Sequence, residues 1–218
     1  MSKTEPFETR FLEYDAWFDR NPNVFESEAL AVRRLLPTTG RIVEVGVGSG
    51  RFASRLGIEE GVEPAEGIAR LAKARGVTVL KGVAEALPLE DSSCDALLYV
   101  TTLCFVDDVP RTWREARRVL RAGGSVVVAF IPRGSRFGLL YEQEKVKDPF
   151  YRLATFYSTE EVLHALIEAG LEPREVVQTL TGSPETANEA VEPPSEGWGR
   201  GSFVVVRAVK TEERRVTG

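Results

Sequence analysis

Glu44-Val45-Gly46-Val47-Gly48-Ser49-Gly50-Arg51-Phe52 follows directly on a short apolar run, and the fold turns on how it is read. Glycines at alternate positions let a chain turn sharply out of a strand and leave backbone N–H and C=O groups uncovered by a Cβ, a surface for a nucleotide-like ligand. A dinucleotide fingerprint reads G-x-G-x-x-G. Here Gly46, Gly48 and Gly50 give G-x-G-x-G, and Arg51 stands where the third glycine of that pattern belongs. Glu63 comes 13 residues after Gly50, at the end of the next predicted strand, with no basic neighbour to accept a 2′-phosphate. A carboxylate there can accept from both ribose hydroxyls, each charge-assisted bond being worth about 1.5–3 kcal/mol.

Outward from the loop, strand and helix alternate. Arg41–Gly46, Ile58–Glu63, Thr78–Lys81, Asp95–Val100 and Ser125–Ile131 read as strands, with helical patterns at Arg51–Leu56, Ala65–Arg75 and Pro110–Arg121 stopped by Gly76 and Gly123-Gly124. Strands separated by helices imply right-handed crossovers and a parallel sheet covered on both faces. The continuous apolar runs Ala96–Val100 and Val126–Phe130 agree. Helices at Phe7–Phe18 and Ser27–Leu36, the second ended by Pro37, precede the first strand. After Pro132 come helices at Arg136–Lys147 and Thr159–Ala169, then strands Glu175–Leu180 and Phe203–Val209. With no helix between them, these last strands predict an antiparallel hairpin with a long mobile connection, Thr181–Ser202.

Composition bounds the function. The chain has 218 residues, 43% apolar and 28% charged, as in an ordinary globular protein, and no apolar run near the length that spans a bilayer. Met1-Ser2-Lys3-Thr4-Glu5-Pro6 lacks the apolar core of a secretory signal, so a cytoplasmic location and no membrane partner are expected. Cys94, Cys104 and the single His164 offer neither a disulfide framework nor a metal site. A net charge of −5 argues against nucleic acid, and Arg111, Arg114, Arg117, Arg118 and Arg121 read as the solvated face of a helix.

Four motifs in order carry a family resemblance: Val43 to Gly50, Val62-Glu63-Pro64, Gly82 to Leu89 and Leu120 to Gly124. Together they resemble the class I S-adenosylmethionine (SAM) dependent methyltransferases, and within them the small-molecule branch that includes the ubiquinone and menaquinone biosynthesis methyltransferases. Tyr14-Asp15-Ala16-Trp17-Phe18 is similar to the N-terminal helix of that branch. The resemblance implies an α/β, Rossmann-like doubly wound, mostly parallel seven-stranded sheet with a C-terminal antiparallel hairpin and helices on both faces. It would form one domain over residues 1–210: a helical cap (1–37), a SAM-binding core (41–131) and a substrate-side segment with the hairpin (132–210). A flexible tail would follow at 211–218.

It also implies a role for each matching position. Glu44 would order the loop and face the methionine end of SAM, while Gly46, Gly48 and Gly50 let the backbone pass close to it. Glu63 would hold the ribose. Pro64 and Ala84 would pack on adenine, Glu85 would accept from its amine, and the Val100-Thr101 backbone would meet the methionine amine. Tyr14 and Trp17 would close over the site or, as aromatics at helical spacing, simply pack.

The acceptor side is less legible. Methyl transfer from a sulfonium needs alignment above all, and a general base only if the acceptor must lose a proton. Relatives often carry His after the fourth strand; here Leu103-Cys104-Phe105 stands, and Cys104 reads as pocket wall, His164 as packing or surface. An Asn-Pro-Pro-Tyr motif is absent there too, Thr101-Thr102-Leu103-Cys104 taking its place. The acceptor pocket is expected from the first helix, the Thr101–Asp108 loop, Pro132–Phe156 and Thr181–Ser202. Within or directly beside these, Arg133, Arg136 and Arg152 with Tyr141, Tyr151 and Tyr157 would suit a planar acid or phenol, or else lie at the surface. The reading is therefore a SAM-dependent methyltransferase acting on a small-molecule acceptor, with catalytic residues unassigned. The alternatives are a non-catalytic SAM-binding sensor and, disfavoured by the glycine spacing, a nucleotide-dependent oxidoreductase.

Overall fold

A computed structural model describes residues 3–211. Helices α1 (Glu5–Thr9), α2 (Phe11–Arg20) and α3 (Pro22–Leu35) lead into β1 (Ile42–Val45), α4 (Arg51–Leu56), β2 (Glu60–Val62), α5 (Glu66–Ala74), β3 (Thr78–Leu80) and β4 (Cys94–Val100). There follow α6 (Val109–Val119), β5 (Leu120–Phe130), α7 (Arg136–Glu144), α8 (Thr159–Glu168), β6 (Leu171–Thr179), β7 (Ser195–Glu196) and β8 (Phe203–Lys210). All strands join one sheet in the order β3-β2-β1-β4-β5-β8-β6-β7. The first five run parallel, and β8 enters antiparallel between β5 and β6.

Side-chain parity explains why the central strands read as unbroken apolar runs. Leu97 and Tyr99 of β4 and Val126 and Val128 of β5 face a core built with Trp113, Val119, Val162 and Leu166 of α6 and α8. Leu98, Val100, Val127 and Ala129 point the other way, onto Val32, Ala53 and Ala72 of α3, α4 and α5. Both faces are buried, so no residue is left to be polar. The order reverses at β1/β4, and the carboxyl ends of these strands open a crevice where doubly wound sheets bind ligands.

Four expectations need correction. The sheet has eight strands, not seven, because the dipeptide Ser195-Glu196 pairs with Val177 and Gln178; two residues carry no periodicity to read. The single helix expected over Phe7–Phe18 is two, divided at Arg10, whose φ of −118° and ψ of 24° leave the helical region. The helix read at Ser27–Leu36 begins a turn earlier, Pro22 occupying its first position. The Thr181–Ser202 connection is tied down. Glu192 accepts from the Thr181 hydroxyl at 2.8 Å and its own N–H donates to Ser27 at 2.8 Å, while Asn188 bonds the Asn23 backbone and side chain. Of the arginines read as a basic helical face, Arg118 on α6 pairs with Asp91 and Glu115, and Arg121, already in β5, pairs with Asp95. The tail expected at 211–218 lies, but for Thr211, outside the described residues. Among the described residues no helix is long and apolar enough to cross a membrane.

Candidate active site

The glycine loop leaves β1 through two left-handed residues, Gly46 (φ +72°) and Gly48 (φ +53°). A Cβ on Gly46 would lie 2.5 Å from Thr102, whose hydroxyl bonds the Val45 and Val100 carbonyls and ties the ends of β1 and β4 together. A Cβ on Gly48 would meet nothing nearer than the Ile68 Cδ1 at 3.7 Å, so the backbone there borders open space. That space is a cavity of about 280 Å³ at the carboxyl ends of β1, β2 and β4.

The walls of this cavity include Tyr14, Gly46, Gly48, Glu63, Pro64, Ala84, Glu85, Val100 and Thr101. Glu44 and Gly50, read from the sequence as contacts, are not among them. Glu44 sits on the opposite face of β1 from Val43 and Val45, behind the loop, where it receives the Ala53 backbone N–H near the start of α4. Burial pushes its carboxyl well above the usual range. Gly50 caps α4 in the left-handed region and packs on α5, where a Cβ would strike Ala72 at 2.9 Å. Both residues shape the loop from outside the cavity.

Glu63 is the buried anion of the site, 8% exposed, its Oε2 accepting from Gly48 N–H and its Oε1 from Ala65 N–H, each at 3.0 Å. Burial raises its pKa while these two amides oppose the rise. Each carboxylate oxygen keeps a second lone pair for a ligand hydroxyl. Glu85 is partly occupied: its Oε1 accepts from the Asp107 N–H at 2.6 Å. Thr101, held at φ +49° by the Ala129 carbonyl, is a non-glycine residue in a costly conformation at the centre of the site.

The N-terminal helices roof the cavity, and the residues that hold them were not legible. Arg51, the residue in place of a third glycine, grips Asp15 on α2 with two bonds of 2.9 and 2.8 Å and Asp19 at 2.8 Å. Arg75 adds a 2.8 Å bond to Asp15 and a 2.7 Å bond to the Ser49 carbonyl of the loop. Burial would raise the Asp15 pKa, but these partners hold it down to about 2. Lys3 reaches across to the Val106 carbonyl at 2.8 Å and Asp107 at 2.9 Å, and α1 sits so close on α5 that a Cβ at Gly67 would overlap Glu8.

A second cavity of about 190 Å³ lies on the other side of Tyr14 and Thr101, which wall both. It takes residues from α2 (Tyr14, Trp17, Phe18), α3 (Glu28), α7 (Tyr141) and the segment after α7 (Phe150, Tyr151). Tyr141 and Tyr151 stack at 4.9 Å and 12°. Of the expected acceptor residues the two tyrosines line it, but Arg133, Arg136, Arg152 and Tyr157 do not. Arg133 pairs with Glu161 and Arg136 donates to the Thr181 carbonyl. No residue of 181–202 reaches this cavity either, because that connection is committed to α3. Trp17 closes over this cavity and not the first; Cys104 lies near both in a small apolar recess, its thiol pushed up to about 12 by burial, and His164 is at the surface.

Glu28 was missed, although a signal existed. Val24, Glu28, Ala31 and Leu35 fall at helical spacing on the buried stripe of α3, so a charge stands where an apolar residue belongs.

Residues 43–128 match a family model described as a methyltransferase domain. The chain is similar to a SAM-dependent methyltransferase of Thermotoga maritima described as a possible histamine N-methyltransferase. The two share 48% identity, with 95% of this chain and 100% of that one covered and a TM-score of 0.92. An uncharacterized protein of Methanocaldococcus jannaschii is 37% identical over 91% of this chain and 95% of its own length. A demethylmenaquinone methyltransferase of Roseiflexus castenholzii is 35% identical over 44% of this chain and 45% of its own.

Proposed function

The chain belongs to the SAM-dependent methyltransferases, and from that premise we propose that it methylates a small-molecule acceptor seated in the aromatic chamber between α2, α3 and α7. The observation that carries this reading is the shared wall. Tyr14 and Thr101 border both cavities, so a group in one lies next to a group in the other.

The first cavity has the features SAM needs. Gly48 offers uncovered backbone, Glu63 a buried carboxylate with acceptor capacity to spare for ribose, and Pro64 and Ala84 apolar surface for adenine. We assign SAM to Tyr14, Gly46, Gly48, Glu63, Pro64, Ala84, Glu85, Val100 and Thr101, with Glu44 and Gly50 supporting the loop from behind. When bound, SAM supplies a methyl group already activated on a sulfonium. The chain's own task is alignment and exclusion of water: α1 and α2 roof the sites, and the Arg51–Asp15 pair holds the roof to the loop. Two unpaired cysteines favour a cytoplasmic setting.

Incubation with methyl-labelled SAM and a fractionated metabolite extract tests the reading. A labelled small molecule is expected, and label retained wholly in SAM by a protein that binds S-adenosylhomocysteine would overturn it.

A further inference from the structure

We propose that the aromatic chamber binds a cationic amine, with the Glu28 carboxylate as its counter-ion and the rings of Tyr14, Trp17, Tyr141 and Tyr151 as its walls. This rests on the reading that the chamber holds the methyl acceptor.

Glu28 is 6% exposed, borders the chamber, and has no hydrogen-bond or ion-pair partner among the described residues. An unpaired buried carboxylate is costly, and an apolar residue at the same place on α3 would stabilise the fold better. A ligand that brings a positive charge and N–H donors supplies the missing partner. Burial raises the phenols of Tyr14, Tyr141 and Tyr151, and the nearby Glu28 carboxyl adds to the rise in all three, so they stand as neutral rings around it. A carboxylate ringed by electron-rich faces is the arrangement that recognises ammonium groups.

The other charged residues bordering the chamber, two acidic and one basic, sum to the acidic side. Glu13 and Arg20 of α2 and Asp148 after α7 border the same chamber, leaving an acidic balance with Glu28. Asp148 is turned to the Phe150 and Tyr151 backbone, and Glu13 is paired with Arg10, so Glu28 is the charge aimed inward. Arg133, Arg136 and Arg152, which would have suited an acid, do not line the chamber. The space, about 190 Å³, admits on the order of ten water-sized groups, which limits the acceptor to a compact amine. Glu28 also serves as the proton acceptor that a protonated acceptor requires: an N–H bond breaks, an O–H bond forms on the carboxylate, and the nitrogen is left neutral with its lone pair free.

The test is calorimetric titration of the full chain, saturated with S-adenosylhomocysteine, with 2-phenylethylamine, 3-phenylpropionate and 2-phenylethanol. The amine should bind at least tenfold more tightly than its anionic and neutral counterparts. Glu28→Gln should erase that preference while leaving S-adenosylhomocysteine affinity within twofold, and Tyr141→Leu should weaken the amine alone. The comparison on the unaltered chain stands even if a variant fails to fold. Absence of any preference for the amine, or its survival in a folded Glu28→Gln, would overturn the inference. Failure of S-adenosylhomocysteine to bind would instead strike the methyltransferase reading itself.

Discussion

Asp15→Asn tests how the roof is held. The carboxylate takes two bonds from Arg51 and one from Arg75, and its side chain is 13% exposed. Its pKa of about 2, against an ordinary 3.8, corresponds to about 2.5 kcal/mol, an upper figure that solvent access reduces to about 1–2 kcal/mol. Because the folded-state value is the depressed one, this stability is fully present above about pH 4 and lost as pH falls through about 2. The energy acts between α2 and the glycine loop, so Asn should loosen α2 selectively. Hydrogen exchange at pH 7 should speed up about 5- to 30-fold in residues 11–20, with little change in β4 and β5. Because Tyr14 sits on α2 and walls both cavities, affinity for S-adenosylhomocysteine should fall with it. Unchanged exchange in α2, or acceleration spread evenly over the sheet, would refute the reasoning.

Three further outcomes follow from single sites. Gly46→Ala combines a left-handed φ with a 2.5 Å approach to Thr102 and should lose about 2–5 kcal/mol, whereas Gly48→Ala, with open space beyond it, should lose only about 1–2 kcal/mol; equal losses in thermal melts would contradict the cradle geometry. Burial lifts the Glu28 carboxyl to about 8 from an ordinary 4.5, so the folded ligand-free chain holds a proton that the unfolded chain releases. Stability should therefore fall as pH rises from about 4.5 through 8, by roughly 5 kcal/mol at most, and urea titrations of Glu28→Gln should show that slope removed. Cys104, with its thiol raised to about 12, should react with iodoacetamide at pH 8 at least about a hundredfold more slowly than a free thiol, and rapid labelling of the native protein would show the recess to be open.

The backbone of this fold was legible because its signals are local. Apolar runs gave the buried strands, and the glycine spacing gave a loop that must leave β1 through left-handed residues, so the positions around it converge on one cavity. That Glu44 does not line the cavity follows from parity: with Val43 and Val45 facing one layer, the residue between them faces the other, behind the loop. Arg51 was read only as the absence of a glycine, since its partners Asp15 and Asp19 lie more than 30 residues away and nothing local pairs them. Ser195-Glu196 became a strand only because β6 was already there to pair with it. Glu28 shows the opposite case, a charge on an apolar stripe that helical periodicity alone could have exposed.

The most direct test of the account is the affinity of S-adenosylhomocysteine for the unaltered chain and for Glu63→Ala. Loss of the carboxylate removes acceptors for two ribose hydroxyls and strands the Gly48 and Ala65 amides it now holds at 3.0 Å. At about 1.5–3 kcal/mol for each lost ligand bond, affinity should fall by at least about a hundredfold. Tight binding to the unaltered chain with that loss in Glu63→Ala is the predicted result; equal affinity in a folded Glu63→Ala, or binding of NAD in place of S-adenosylhomocysteine, would contradict it.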